Sequence, residues 1–116
     1  MEIGDISIER DWGWAPEYAD AMVRLIKLDD PQDCIIASGR TISLQCFIES
    51  VFSELNLNYH NHLKINNSFF RPNEAMRIST NPYKIMKLTA WKPSIRGRKL
   101  GKHLISEYLS LKKEKR

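Results

Sequence analysis

Two arginines and one acid are the residues of this chain whose types and spacing best suit ligand chemistry. Arg10 opens the run RDWG, and Arg71 lies three residues before Glu74 in the run FRPNE. A guanidinium carries a planar fork of donors that matches phosphate oxygens, so two arginines from separate segments could clamp a pyrophosphate. Glu74 could accept a hydrogen bond from a ribose hydroxyl. On residue types alone, surface ion pairs among Arg10, Asp11, Arg71 and Glu74 are the stronger interpretation.

The usual cofactor and metal motifs are missing from the sequence. Its five glycines form neither G-x-G-x-x-G nor G-x-x-x-x-G-K-S/T, so no dinucleotide or phosphate loop is predicted. His60 and His62 lie in a polar segment without a carboxylate or cysteine at ligand spacing, which favours loop residues over a metal site. His103 is predicted to be solvated on the polar side of a basic helix. No catalytic, cofactor or metal residue is therefore assigned.

Two tyrosine and lysine pairs match a catalytic spacing found in short-chain dehydrogenases. Tyr83 precedes Lys87, and Tyr108 precedes Lys112, each by four residues. In those enzymes the lysine lowers the tyrosine pKa so that the phenol can act as a base. Tyr108 lies on a predicted apolar stripe and Tyr83 has no glycine-rich loop to accompany it, so we interpret both pairs as accidental.

Several short elements must position the arginine motifs. Alternation at Ile6 and Ile8 indicates a strand or extended segment, and a helix is predicted from Pro16 to Leu28. A buried strand is predicted over residues 34–37, followed by a helix that Ser43 caps. A short strand is predicted over residues 63–65. A short helix should follow Asn81-Pro82, with Ile85 and Leu88 facing inward. The last helix should carry one inward apolar face, made of Leu100, Leu104, Ile105, Tyr108 and Leu111. The expected fold is α/β, a small and mostly helical domain with a few short strands.

Composition sets the broad class of the protein. Its 116 residues, 42% hydrophobic and 28% charged, fit one small globular domain spanning residues 1–116. No run approaches the roughly 18 apolar residues of a membrane span, and no signal peptide is evident, so a soluble cytoplasmic protein is expected. Cys34 and Cys46 stand singly in apolar runs, as reduced core residues do. The net charge of +4 comes largely from the segment after residue 95, which favours a solvated helix end over a nucleic-acid site.

The order of the motifs resembles GDP-mannose 4,6-dehydratases, which are extended short-chain dehydrogenases. Residues 10–22, RDWGWAPEYADAM, resemble the family segment RDWG.A.DYV.AMW, and residues 34–49, CIIASGRTISLQCFIE, resemble Y.IATGETHSVREFVE. Residues 70–74, FRPNE, resemble YRP.EV, and residues 88–93, LTAWKP, resemble LGWKP. Four blocks in the family's order cover almost the whole chain. The chain departs from the family at Gly97, a position that commonly holds phenylalanine, and at Arg98, Lys99 and Lys102, which replace an acidic helix start.

The resemblance implies a function for the arginine motifs. In the family, an amino-terminal Rossmann domain holds NADP and the catalytic Ser/Thr, Tyr and Lys, while the carboxy-terminal domain grips GDP-mannose. The roles that carry over are pyrophosphate contacts for Arg10 and Arg71 and a ribose contact for Glu74. We therefore expect the sugar-nucleotide-binding domain of the family without its Rossmann domain, inactive alone and holding GDP-mannose or a related nucleotide sugar weakly.

Two other function classes remain open on the sequence. One is a standalone protein-interaction module that reuses the scaffold, and the other, the least favoured, is a basic nucleic-acid binder. A domain separated from its partner should expose apolar surface, for which Trp12, Trp14, Phe69 and Phe70 are the candidates. A homodimer, or a complex with a separate Rossmann-domain chain, would cover that surface.

Overall fold

Residues 1–115 form four helices and four short strands. The computed structural model describes residues 1–115, so Arg116, the end of the predicted basic tail, lies outside the described residues. In chain order the elements are β1 (Glu2–Ile3), β2 (Glu9–Asp11), α1 (Ala15–Ile26), β3 (Thr41–Ser43), α2 (Leu44–Glu54), β4 (Lys64–Ile65), α3 (Tyr83–Thr89) and α4 (Arg98–Glu114). Single 3₁₀ turns at Tyr59–Asn61 and Asn67–Phe69 flank β4. The prediction of a mostly helical α/β domain with a few short strands is confirmed.

The strands form two separate pairs. β1 and β4 run parallel, with Ile3 opposite Ile65. β2 and β3 run antiparallel, with Arg10 opposite Ile42. Each pair joins residues at least 30 positions apart in sequence, so the strands link the amino-terminal segment to the middle of the chain. Arg10, on β2, is thereby fixed against the strand that leads into α2.

Local sequence signals account for the helix boundaries. Pro16 lies in the first turn of α1, where its missing N–H costs nothing. The Ser43 hydroxyl accepts a hydrogen bond from the Cys46 N–H at 3.1 Å and caps α2 as predicted. The Asn81 side chain accepts from the Tyr83 N–H at 3.0 Å and starts α3. Ala90, at φ +59°, ends α3 in the left-handed conformation. Local capping chemistry therefore sets where three helices begin or end.

Two strand predictions are displaced from the observed strands. Residues 34–37 form no strand, because they have no strand edge to pair with; Ile35 points outward and is 57% exposed. Cys34 and Ile36 pack on the core from an extended, unpaired segment. Ile6 and Ile8 also lie between strands, although their carbonyls accept hydrogen bonds from the first two residues of α2. For Cys34 and Ile36 the apolar pattern therefore correctly predicted burial against the core, but it was wrong about β pairing.

The core is small and lies between α1 and α3. Ala21 and Ile85 are fully buried there, and Trp91 is 2% exposed. The Trp91 indole N–H donates to the Glu17 carbonyl at 2.9 Å, which ties the segment after α3 to the first turn of α1. Ile85 thus faces inward as predicted, whereas Leu88 is 36% exposed.

The apolar face of α4 is largely uncovered. Leu100 is buried at 3%, but Leu104, Tyr108 and Leu111 are 40%, 54% and 57% exposed. Ile105 is half-buried. The prediction of an inward face is therefore confirmed at Leu100 and in part at Ile105, and it is wrong at Leu104, Tyr108 and Leu111, so Tyr108 is not a core residue. Its ring instead lies 5.2 Å from the Lys112 ammonium. In residues 1–115, no helix is both long enough and apolar enough to cross a bilayer.

The molecule is a thin slab. Its principal extents are 52 × 45 × 18 Å and its radius of gyration is 16.9 Å, compared with about 13 Å for a compact domain of this length. The accessible surface is 8317 Å², whereas a folded monomer of the same mass would expose about 6,600 Å². The chain consequently leaves more surface uncovered than a domain that is complete by itself.

Two glycines allow close packing within the slab. A Cβ on Gly101 would lie 2.1 Å from the Ser50 hydroxyl oxygen, so α4 approaches α2 more closely than alanine permits. A Cβ on Gly13 would lie 2.1 Å from the Tyr18 ring. Gly13 therefore lets the first turn of α1 fold back over the end of the RDWG motif.

Candidate binding site

Arg10 and Glu74 form an ion pair across 64 residues of sequence. The Arg10 Nη2 donates to the Glu74 Oε1 at 2.6 Å, and the Arg10 Nη1 donates to the Glu9 carbonyl at 2.8 Å. Both side chains are mostly buried, with exposed fractions of 19% and 28%. A guanidinium has five N–H donors, so three remain beyond these two bonds. Of the ion pairs expected from the residue types, this one is present, and it is more buried than a surface pair.

Arg71 and Glu74 line one cavity. Its volume is about 250 Å³, close to the lower end of small-molecule sites. The walls come from the end of β1, the loop before β2 and the 3₁₀ turn after β4, and the lining residues are Ile3, Gly4, Asp5, Ile8, Leu44, Phe69, Phe70, Arg71 and Glu74. Arg10 is not on the wall, but it reaches the cavity through Glu74. The structure thus brings the three predicted residues to one place.

The cavity combines the chemical groups that bind a nucleotide. Phe69 and Phe70 are about half exposed and offer apolar ring surface for a base. Arg71 is exposed and supplies donors for phosphate oxygens. The Asp5 carboxylate accepts hydrogen bonds from the Ser7 hydroxyl and from the Ser7 N–H, which lower its pKa. Asp5 therefore stays ionised and can accept hydrogen bonds from amino groups.

Asp11 is an important residue that sequence reasoning missed. Its carboxylate accepts hydrogen bonds from the Ser38 N–H and hydroxyl, from the Gly39 N–H at 2.7 Å and from the Thr80 hydroxyl at 2.9 Å. It pairs with none of the arginines in residues 1–115. These partners lie 27 to 69 residues away, so no local spacing could have pointed to them. Asp11 ties the loop before β3 and the loop before α3 to the end of β2, and so positions the neighbouring Arg10.

Tyr18 lies beside this network and stays neutral. Burial raises its pKa to about 12, and the negative charge of Asp11 adds to the rise. Its ring packs edge-on against Trp91 with the centroids 6.1 Å apart. A phenol with a raised pKa is a poor general base near neutral pH. Tyr18 therefore acts as a packing residue.

His103 and His60 pack against aromatic rings. His103 is only partly solvated, with a side chain that is 32% exposed. Its ring lies edge-on to Trp14 with the centroids 4.6 Å apart, and its Nε2 is buried 3.4 Å from a Glu107 carboxylate oxygen. His60 stacks on Tyr59 with the ring centroids 4.1 Å apart. Among the described residues, no three His, Cys, Asp or Glu side chains cluster as a metal site would require.

The described residues do not fit NADP. A dinucleotide site needs a parallel strand, a glycine-rich turn and a helix start in succession. The parallel pair β1 and β4 is two residues long, and neither strand leads directly into a helix through such a turn. The space beside Gly13 and Gly101 is instead occupied by neighbouring side chains. No hydride-transfer step can be derived from these residues.

Comparison with known proteins decides the family. The family model described as GDP-mannose 4,6 dehydratase matches residues 1–104. The chain belongs to this family. GDP-mannose 4,6 dehydratase 1 of Arabidopsis thaliana is 30% identical over 114 residues, which are 98% of this chain and 32% of the relative. GDP-mannose 4,6 dehydratase 2 of Caenorhabditis elegans is 30% identical over 127 residues, covering 96% of this chain and 33% of the relative. The chain thus spans about a third of the family members it matches.

Solved structures show the same fold. RMD from Pseudomonas aeruginosa, determined with NADPH, superposes with a TM-score of 0.75 at 22% identity, over 95% of this chain and 35% of that protein. The dTDP-glucose 4,6-dehydratase of Bacillus anthracis, determined with NAD, gives a TM-score of 0.77 at 14% identity, over 92% of this chain and 33% of that protein. The predicted fold, that of one part of an extended short-chain dehydrogenase, is confirmed.

Proposed function

We propose that this chain is the nucleotide-sugar-binding part of a GDP-mannose 4,6-dehydratase-type protein. The observation that carries the proposal is the meeting of Arg71, Glu74 and Arg10 at one cavity with two exposed phenylalanines. These residues come from segments more than 50 residues apart, yet together they offer phosphate donors, a hydroxyl acceptor and aromatic surface. Family membership makes GDP-mannose or a related GDP-sugar the ligand that fits this combination.

Each side chain has a defined role in the proposed site. Arg71 is exposed and donates to the pyrophosphate. Arg10 holds Glu74 through one Nη2 hydrogen bond, and its remaining N–H donors supply positive charge beside the cavity. Glu74 has a second carboxylate oxygen, which accepts from a ribose hydroxyl. Arg10 is a positioning residue for Glu74 as much as a phosphate ligand.

Catalysis needs groups from outside this segment. Dehydration of a GDP-sugar in the family depends on NADP and on the Ser/Thr, Tyr and Lys of the Rossmann domain. We propose that residues 1–116 correspond to the family without that domain and are inactive alone, which the one-third coverage of the relatives supports. Cys34 and Cys46 are free thiols, a state that suits a reducing compartment, and we propose a cytoplasmic location.

Binding by the isolated chain should be weak. The cavity is open and the protein is only 18 Å thick, so a bound nucleotide keeps contact with water on one side. Ion pairs that remain hydrated contribute about 1 kcal/mol or less each. We expect a dissociation constant near the millimolar range, which corresponds to about 4 kcal/mol of binding free energy.

Calorimetry and amide chemical shifts on the purified chain test the proposal. GDP should bind, with shifts at residues 69–74 and at Arg10, and GMP should bind more weakly because it lacks the second phosphate. Arg71→Gln should weaken GDP binding several-fold. Arg77→Gln is the matched control. The Arg77 side chain is 62% exposed on the same segment, and its substitution removes the same charge. Equal losses in both variants, or shifts confined to residues 112–115, would contradict the proposal.

A protein-interaction module is the second candidate function. The observation that favours it is the exposed apolar face of α4, together with Phe69 and Phe70 at about half exposure. Trp12 and Trp14, expected to be uncovered, instead pack on Phe47 and His103 within the chain. A homodimer or a separate Rossmann-domain chain would cover the α4 face. Stable self-association that GDP does not influence would favour this candidate.

A further inference from the structure

A second cavity, lined in part by Ile42 of β3, is surrounded by cations. Its volume is about 440 Å³, larger than the cavity beside Arg71. Arg40, Arg96, Arg98 and Lys99 all line it, and no acidic side chain does. None of these residues lines the Arg71 cavity. The nucleotide-sugar proposal therefore gives this cavity no role.

Three of the four cations have no carboxylate partner among residues 1–115. Arg98 is paired, because its Nη1 lies 3.7 Å from the Glu49 carboxylate. The Arg96 guanidinium donates to the Ser38 carbonyl at 3.2 Å and to no carboxylate of the described residues. Arg40 and Lys99 take part in none of the ion pairs of the described residues. Like charges around one cavity repel each other, and a bound anion would remove that cost.

The fold holds these side chains at the cavity. Arg96 is tied to the Ser38 carbonyl, and Asp11 fixes Ser38 in turn. The Glu17 carboxylate accepts from the Ser94 and Ile95 N–H groups, which fixes the segment before α4. The loops that carry the cations are therefore anchored by hydrogen bonds.

Gly97 allows Arg40 to lie beside the start of α4. A Cβ at Gly97, which has a φ of +60°, would be 3.1 Å from the Arg40 Cγ. The glycine at position 97 therefore makes room for the side chain of Arg40.

We propose that this cavity binds a diphosphate group. Three unpaired cations match a diphosphate ester, which carries about three negative charges near neutral pH, better than they match a single phosphate. Two arginines supply the planar donor forks that suit phosphate oxygens, and α4 begins here with the positive end of its dipole. The ligand is either inorganic pyrophosphate or the diphosphate of a nucleotide, and the recognising chemistry is the same.

Titration of the purified chain with inorganic pyrophosphate tests this proposal. At low ionic strength, amide shifts should appear at Arg40 and at residues 96–99. The double variant Arg40→Gln/Lys99→Gln should weaken pyrophosphate binding by at least about tenfold, because two charge-assisted contacts are lost. Arg77→Gln/Lys27→Gln is the matched control, since it lowers the net charge equally on exposed side chains away from the cavity. Equal weakening by the control, or shifts confined to residues 69–74, would overturn the proposal.

Two further experiments identify the source of the diphosphate and test this cavity independently of the proposed function. In Arg71→Gln the first cavity binds GDP more weakly, and amide shifts distinguish the two cavities. GDP shifts at residues 96–99 that match those from pyrophosphate identify a nucleotide diphosphate, while binding of pyrophosphate only identifies the inorganic ion. Either result supports the cavity even if Arg71 proves irrelevant to nucleotide binding. Oligoribonucleotide binding that depends on Arg40 and Lys99 but is not displaced by pyrophosphate would overturn it in favour of nucleic acid.

Discussion

The hydroxyl of Thr80 donates to the carboxylate of Asp11 at 2.9 Å and joins the loop before α3 to the end of β2, 69 residues away in sequence. The same carboxylate also holds the backbone of Ser38 and Gly39. Since the core is small, this polar junction is a main connection between the amino-terminal segment and the rest of the chain. Its loss should affect stability more than the loss of any exposed ion pair.

We expect Asp11→Ala to lower the free energy of unfolding by about 2–3 kcal/mol, because several hydrogen bonds to a charged acceptor are lost at once. Urea denaturation followed by circular dichroism measures the change. Asp20→Ala is the control, since Asp20 makes one exposed pair with Arg24, and it should cost less than about 0.5 kcal/mol. Similar costs for both variants would show that Asp11 is not a junction.

Packing of α4 on α2 depends on the absence of a side chain at Gly101. Gly101→Ala places a methyl group 2.1 Å from the Ser50 hydroxyl oxygen and should destabilise the protein by about 1–3 kcal/mol. Adding Ser50→Ala removes that oxygen and should recover part of the loss. Thermal unfolding of the two single variants and the double variant gives the interaction between the sites. Strict additivity would contradict the close approach.

Alkaline pH should reveal the burial of Tyr18. Its folded-state pKa of about 12 lies above the ordinary value of about 10. The neutral phenol is therefore favoured by folding, and its contribution to stability is complete below about pH 10 and is lost as the pH rises toward 12. Tyr18→Phe should abolish this part of the pH dependence of urea unfolding. Tyr83→Phe, which alters a side chain that is 64% exposed, is the control; identical profiles for wild type and Tyr18→Phe would contradict the assignment.

Self-association should depend on α4. Leu104→Ser/Leu111→Ser changes two residues that are 40% and 57% exposed, so it should cost little stability while reducing any concentration-dependent association. Sedimentation velocity over a wide concentration range measures the effect. Met22→Ser, on the exposed side of α1, is the control. Association that persists in the double variant would place the contact elsewhere.

Sequence reasoning succeeded where the determining interaction was local. Ser43 caps a helix three residues away, and α2 was predicted from its own apolar face. The predictions were wrong where the structure depends on residues distant in sequence. Residues 34–37 lack a strand partner, and no other element covers Tyr108 on α4. The meeting of Arg10 with Glu74 was expected from residue types and family motifs together, whereas the junction at Asp11 required the fold.

The 18 Å thickness of the slab has a thermodynamic consequence. The heat capacity change of unfolding follows the apolar area that becomes hydrated, and it averages about 12–15 cal/mol/K per residue in compact domains. A chain that already exposes much of its apolar surface should fall below that range. Its stability curve should be correspondingly shallow, so that cooling or warming by several degrees changes its folding free energy very little.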